Sequence, residues 1–184
     1  MKQQLIRNLS LTAVMILAGA AGAATTTRSL TDAEIAAKAA REVRMYTRYT
    51  IWDNINIGVR DGIVELSGQV SQPFKKQDLE RLSLRIPGVT GVANRLEVLP
   101  LSRFDDELRI RVARALYRDP VLSRYGIQSV PPIHIIVNNG RVTLEGVVNN
   151  EMEKNVAAIR AASAGLSFGP VTNNLRVENP KRKG

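Results

Sequence analysis

The chain has 184 residues, of which 44% are hydrophobic, a formal charge of +9 and no cysteine. That is enough apolar material for a buried core, and the missing cysteines exclude both disulfides and thiolate metal sites. The excess of cations points to an anionic partner rather than a basic one.

In chain order, Lys2 and Arg7 precede an apolar run from Leu9 to Leu17 and a stretch of small residues at 18–23. The run is too short to span a bilayer and has the order of a secretory signal peptide. Cleavage is expected after Ala20 or Ala23, giving an exported product that in a bacterial cell is periplasmic. Without cysteine there is no acceptor for a lipoprotein anchor. Loss of Lys2 and Arg7, with no acid in that stretch, leaves +7. Residues 24–30 read as a linker.

Thr31 to Glu34 has the spacing of a capping box, and Ile35, Ala39 and Val43 supply the apolar stripe of a helix running to about Arg48. Ile55 to Val70 then alternates on both sides of Asp61-Gly62, a pair that tolerates the positive φ angles of a tight hairpin. Pro73 opens a second helix with Phe74, Leu79, Leu82 and Ile86 at helical spacing, stopped by Pro87-Gly88. Val92 to Val98 alternates as a third strand. The helix between the second and third strands is a crossover, expected to be right-handed.

The same order returns in the second half. Asp105 to about Arg118 reads as helix, Ile133 to Val148 as a hairpin around Asn139-Gly140, Glu151 to about Ala164 as helix and Val171 to Val177 as strand. Ile55, Ile57, Val59, Gly62, Val64, Leu66, Gly68 and Val70 recur 78 residues later as Ile133, Ile135, Val137, Gly140, Val142, Leu144, Gly146 and Val148. This is an internal duplication. The helices before the hairpins align at an offset of 73, so the second copy carries five extra residues in the loop 119–132.

The expected fold class is therefore α+β: two tandem α-β-β-α-β modules, each a three-stranded mixed sheet with two helices on one face. The boundaries are 1–23 signal peptide, 24–30 linker, 31–100 first module, 103–178 second module and 179–184 basic tail. The connector Pro100-Leu-Ser102 is too short for a flexible linker, so the modules are expected to touch.

Val59 to Val70, with its Asp61-Gly62 turn and Leu-Ser-Gly-Gln-Val second strand, and Ile86 to Val98, with Gly91-Val-Ala-Asn-Arg-Leu, resemble the BON domain family. The second copy keeps Asn139-Gly140, Leu144-Glu-Gly-Val-Val148 and the strand to Val177, and departs at Leu166 to Pro170, where a residue is inserted. The resemblance implies an α/β sandwich without catalytic activity that binds phospholipid or protein surfaces and supports envelope integrity or stress tolerance.

Candidate sites follow the charge. Residues 31–100 hold ten Lys/Arg against nine Asp/Glu, whereas 101–184 hold thirteen against eight. The second module is thus the better candidate for an anionic partner. Arg111, Arg114 and Arg118 fall three and four apart on its first helix, beside the apolar face formed by Leu108, Val112, Ala115 and Leu116. In the first module Lys38 and Arg41 hold matching positions, with Met45 in the third. The stripe is expected to meet anionic phospholipid head groups, with Tyr117 and Tyr125 at the interface. The competing reading is a solvated flank neutralised by Asp105, Asp106 and Glu107. Lys181, Arg182 and Lys183 form a tail suited to the same contact or to solubility alone.

Asp61, Gly62, Asn139 and Gly140 are turn residues. Gly68 and Gly146 sit where alternation expects an inward side chain, which reads as a strand passing under a helix with no room for Cβ. Tyr46, Tyr49 and Trp52 run at three-residue spacing as a recognition patch or as core closure. The sheet face away from the helices carries Asn56, Arg60, Glu65, Ser67 and Gln69 in the first copy, but His134, Ile136, Thr143, Glu145 and Val147 in the second. That second, less polar face is expected to pack against a partner or the other module.

His134, the single histidine, has no carboxylate or cysteine at ligand spacing, and no phosphate-binding glycine loop is present. The reading is a protein that is not an enzyme, with no cofactor, no metal and no nucleic-acid partner. Its expected partners are an anionic membrane surface and envelope proteins. A periplasmic chaperone or protein-protein adaptor is the alternative.

Overall fold

The computed structural model describes residues 29–128, 130–165 and 167–178. The expected signal peptide, nearly all of the linker and the tail with Lys181, Arg182 and Lys183 lie outside the described residues.

In the first module Thr31 caps α1 (Asp32–Met45). Its hydroxyl accepts from Glu34 N at 3.3 Å while Thr31 N donates to the Glu34 carboxylate at 2.8 Å, the reciprocal capping box. The helix stops at Met45 rather than Arg48 because Tyr46 turns to extended backbone. Strands β1 (Asn54–Arg60) and β2 (Ile63–Val70) form the hairpin, with Asp61 and Gly62 at φ 52° and 75°. After α2 (Pro73–Leu84), β3 (Gly91–Val98) returns parallel to β2, which makes β2 the central strand. Ile35, Ala39, Val43 and Leu79 pack on Val64, Leu66, Val70 and Leu96, so both helices cover one face of the sheet.

The second module repeats this with α3 (Arg103–Tyr117), β4 (Ile133–Asn138), β5 (Arg141–Val148) and α5 (Glu151–Ser163). Helix α3 starts earlier than its sequence suggested because Ser102 accepts from Asp105 N and takes the capping role. The extra loop residues form one unanticipated helical turn, α4 (Ser123–Gly126). The last strand is divided into β6 (Thr172–Asn173) and β7 (Arg176–Val177), both parallel to β5, with pairing interrupted at Asn174-Leu175. Asn174 N still donates to Leu144 O at 2.9 Å, so the chain follows β5 throughout.

Polar details are duplicated along with the core. Asp32 reaches across from α1 to accept from Asp61 N and Gly62 N at 2.8 and 2.9 Å; Asp105 on α3 accepts from Asn139 N and Gly140 N, both at 2.8 Å. Each carboxylate thus fixes the tip of its hairpin to its first helix. At the start of the second helix the charges are exchanged. Buried Asp53 accepts from Ser71 N at 2.7 Å and from Lys75 Nζ at 2.6 Å. In the second copy Glu153 stands where Lys75 does, and accepts from Asn149 N at 3.0 Å and from the Tyr125 hydroxyl. Burial works against both carboxylate charges, yet these donors outweigh it and hold Asp53 and Glu153 below their ordinary range.

Gly68 and Gly146 keep their structural role for a different reason from the expected helix crossing. Their φ values are 107° and 113°, and a Cβ would fall on a backbone carbonyl before or at the start of the neighbouring strand, Pro132 or Asn54. The obstacle is cross-strand backbone, where only glycine fits.

The modules touch, and the tyrosine-tryptophan series makes the contact. Ile135 N donates to Ile51 O at 2.7 Å, so the loop before β1 lies along the free edge of β4. Ile51 and Trp52 pack against the second core. The Tyr49 ring lies 5.2 Å from that of His134, with its hydroxyl 3.4 Å from Nε2. Burial pushes the Tyr49 hydroxyl up to about 12. Tyr46 turns back to its own module and donates to Asp78 at 2.6 Å. The less polar outer face of the second sheet is accordingly covered at His134 and Ile136.

Candidate functional site

The basic stripe lies on α3, whose inward face is fixed by Leu108, Val112 and Leu116 in the second core. Helical periodicity then brings Arg103, Glu107, Ile110, Arg114 and Arg118 outward on one ridge. The acids expected to neutralise it are spent elsewhere. Asp105 is bound to the hairpin tip, Asp106 pairs with Arg109, and Glu107 accepts from Arg111 at 2.5 Å. Among the described residues the side chains of Arg103, Arg114 and Arg118 take no ion pair or hydrogen bond.

This rearranges the expected set. Arg111 is on the stripe, but its charge is balanced by Glu107. Tyr117 is half-buried rather than interfacial: its hydroxyl donates to Ile133 O at 2.7 Å, and burial raises its pKa. Tyr125 is buried beneath Glu153 and belongs to the core. Both tyrosines depart from the expected interfacial placement because their hydroxyls have inward partners, Ile133 O and the Glu153 carboxylate. Lys181, Arg182 and Lys183 lie outside the described residues.

Arg160 on α5 was not anticipated. It stands across from Arg114 and Arg118, and the three line an open hollow of about 420 Å³ together with Asp119 and Ser163. Arg160 Nε donates to Asp119 at 2.6 Å, which anchors its guanidinium while the hollow keeps an excess of positive charge. The signal that would have found it is a helix register, since Arg160 and Ser163 lie three apart on the exposed flank of α5.

Two aliphatic side chains complete the surface. Leu101 in the connector is 87% exposed and Ile110, in the middle of the α3 ridge, is 45% exposed. Cations flanking exposed aliphatics form a surface suited to shallow contact with a membrane interface. No helix among the described residues is long and apolar enough to cross a membrane, and none of their His, Asp or Glu side chains cluster as a metal site. His134 is buried at the module contact, with Nδ1 lacking a hydrogen-bond partner among the described residues.

The family model described as "BON domain" matches twice, at residues 31–100 and 105–179. No curated protein matches the chain. Two solved structures of CdsD, described as a structural protein of the Type III secretion system of Chlamydia trachomatis, resemble it at 13% and 12% identity, each with a TM-score of 0.31. The matches cover 76% and 81% of this chain, and 59% and 67% of those chains. The chain thus spans under two thirds of the first of them.

Proposed function

Starting from a chain that belongs to the BON domain family, we propose a non-enzymatic binding protein of the cell envelope that associates with anionic phospholipid through the second module. The observation that carries this reading is the α3 ridge, where Arg103, Arg114 and Arg118 are unpaired among the described residues beside exposed Ile110 and Leu101. Each cation near an anionic surface contributes about 1 kcal/mol, and the aliphatic side chains add apolar burial at the head-group level. Arg160 and the hollow it shares with Arg114 and Arg118 fit a phosphate. Export and a role in envelope integrity or stress tolerance complete the proposal, resting on the residue order at 1–23 and on the family.

Co-sedimentation of the full chain with vesicles of phosphatidylcholine alone or mixed with phosphatidylglycerol tests it. The doubly substituted Arg114→Glu, Arg118→Glu chain is expected to lose at least about 30-fold in affinity for the mixed vesicles, roughly 1 kcal/mol for each cation removed. Equal binding of the native chain to both vesicle types would overturn the assignment. A chaperone or adaptor using apolar surface would keep its activity after this charge reversal.

A further inference from the structure

The free edges of the two sheets are treated differently. In the second module every outward residue of β4 has one backbone group met from outside its sheet: Ile133 O by the Tyr117 hydroxyl at 2.7 Å, Ile135 N by Ile51 O at 2.7 Å, and Val137 O by Arg109 Nη2 at 2.8 Å. Ile133, Ile135 and Val137 are all 0% exposed.

The first module lacks every one of these caps. At the helix offset of 73, Tyr117 corresponds to Arg44, which is exposed, and Arg109 to Ala36, which has no donor. The hairpin closes on Arg60 and Ile63, so the outward positions of β1 are Ile55, Ile57 and Val59. Their edge groups find no partner among the described residues, and their side chains are only partly covered. An uncapped edge of this kind is a template for another chain.

The complementary half is also present and idle. At the hairpin offset of 78, Tyr49 and Trp52, which dock on β4, correspond to Ile127 and Val130. Those two aliphatic side chains project from the second module at 86% and 37% exposure. One module therefore has the docking loop in use and its edge open; the other has the edge in use and its loop open.

We propose that the β1 edge receives the segment around Ile127, Gln128 and Val130 of a second copy of this chain, repeating between molecules the contact that Tyr49, Ile51 and Trp52 make within one. The occupant is a second copy because the contact continues an interface already built, with the donor and acceptor halves on opposite modules. Such a contact is heterologous. Copies joined this way add head to tail into an open chain or a closed ring.

Native cysteine is absent, so engineered pairs report the contact directly. The His134–Tyr49 pair maps onto Asn56 and Ile127, both exposed and tolerant of substitution. Full-length Asn56→Cys and Ile127→Cys chains of distinguishable mass are mixed and oxidised, with circular dichroism confirming the fold. The crossed Asn56→Cys/Ile127→Cys dimer is expected to exceed the two homodimers together by about tenfold. Adding Val130→Asp to the Ile127→Cys chain is expected to return the products to statistical mixing. Statistical proportions in the first mixture, monomer alone, or a crossed product indifferent to Val130→Asp would each overturn the proposal.

Discussion

Protonating His134 places a charge inside the module contact, and the cost is measurable as a pH dependence of stability. Burial is the main cause that lowers its pKa from the ordinary value, although Asp53 nearby pulls the other way. The unfolded chain takes up this proton at about pH 6.5 and the folded chain resists it. Below that pH the unfolded state binds more protons, so stability falls as pH falls. Above it the residue adds no slope. The fall is about 1.4 kcal/mol per pH unit once well below 6.5, until the folded-state pKa is reached. Between pH 6.5 and 5.5 this amounts to at most about 1 kcal/mol, the limit reached when the folded imidazole stays neutral throughout, since protonation of the unfolded chain is half complete at the upper limit. Asp53 does not confuse the window, because its depressed pKa gives stability lost only below the ordinary carboxylate range. The assay is urea denaturation of the native chain and of His134→Gln at pH 7.5, 6.5 and 5.5. The native chain should lose stability relative to the variant below pH 6.5 alone; parallel profiles would refute the claim that the imidazole is buried neutral.

Two further predictions rest on buried carboxylates. Asp105→Ala removes the acceptor for two backbone donors at a residue that is 1% exposed, and is expected to cost about 2–3 kcal/mol by thermal denaturation. Asp32→Ala, the half-buried equivalent, should cost less. Lys75→Met strands the Asp53 carboxylate and is expected to cost about 3–5 kcal/mol in the same assay, most of it recovered by adding Asp53→Asn.

What was legible in the sequence is what local chemistry decides. Thr31 and Glu34 announced a helix start, Asp61-Gly62 and Asn139-Gly140 announced two hairpins, and alternation set the inward faces of β1, β2, β4 and β5. The apolar outer face at His134 and Ile136 signalled a covering, which Tyr49 supplies at His134. Side-chain pairing was not legible. Glu107 sits within reach of several cations, and only the folded rotamers show that it engages Arg111 and leaves Arg114 and Arg118 open. Tyr117 was misplaced because its acceptor, Ile133 O, is sixteen residues away on another element. Arg160 lies 41 residues beyond Asp119, so the helix register that exposes it does not reveal the partner it meets. Inequality between the sheet edges was hidden for a similar reason, since it turns on two substitutions, Ala36 for Arg109 and Arg44 for Tyr117, in helices that otherwise align.

Trp52 belongs to the first half of the chain by sequence and to the second core by packing. The second half is therefore not a self-sufficient unit. Cutting at Pro100 would leave two fragments held as a non-covalent pair, and a second half expressed alone would have an unroofed core beside Ile133 and Ile135. Melting is expected to take both halves in one transition, although the duplication that produced them began with a unit that had to stand by itself.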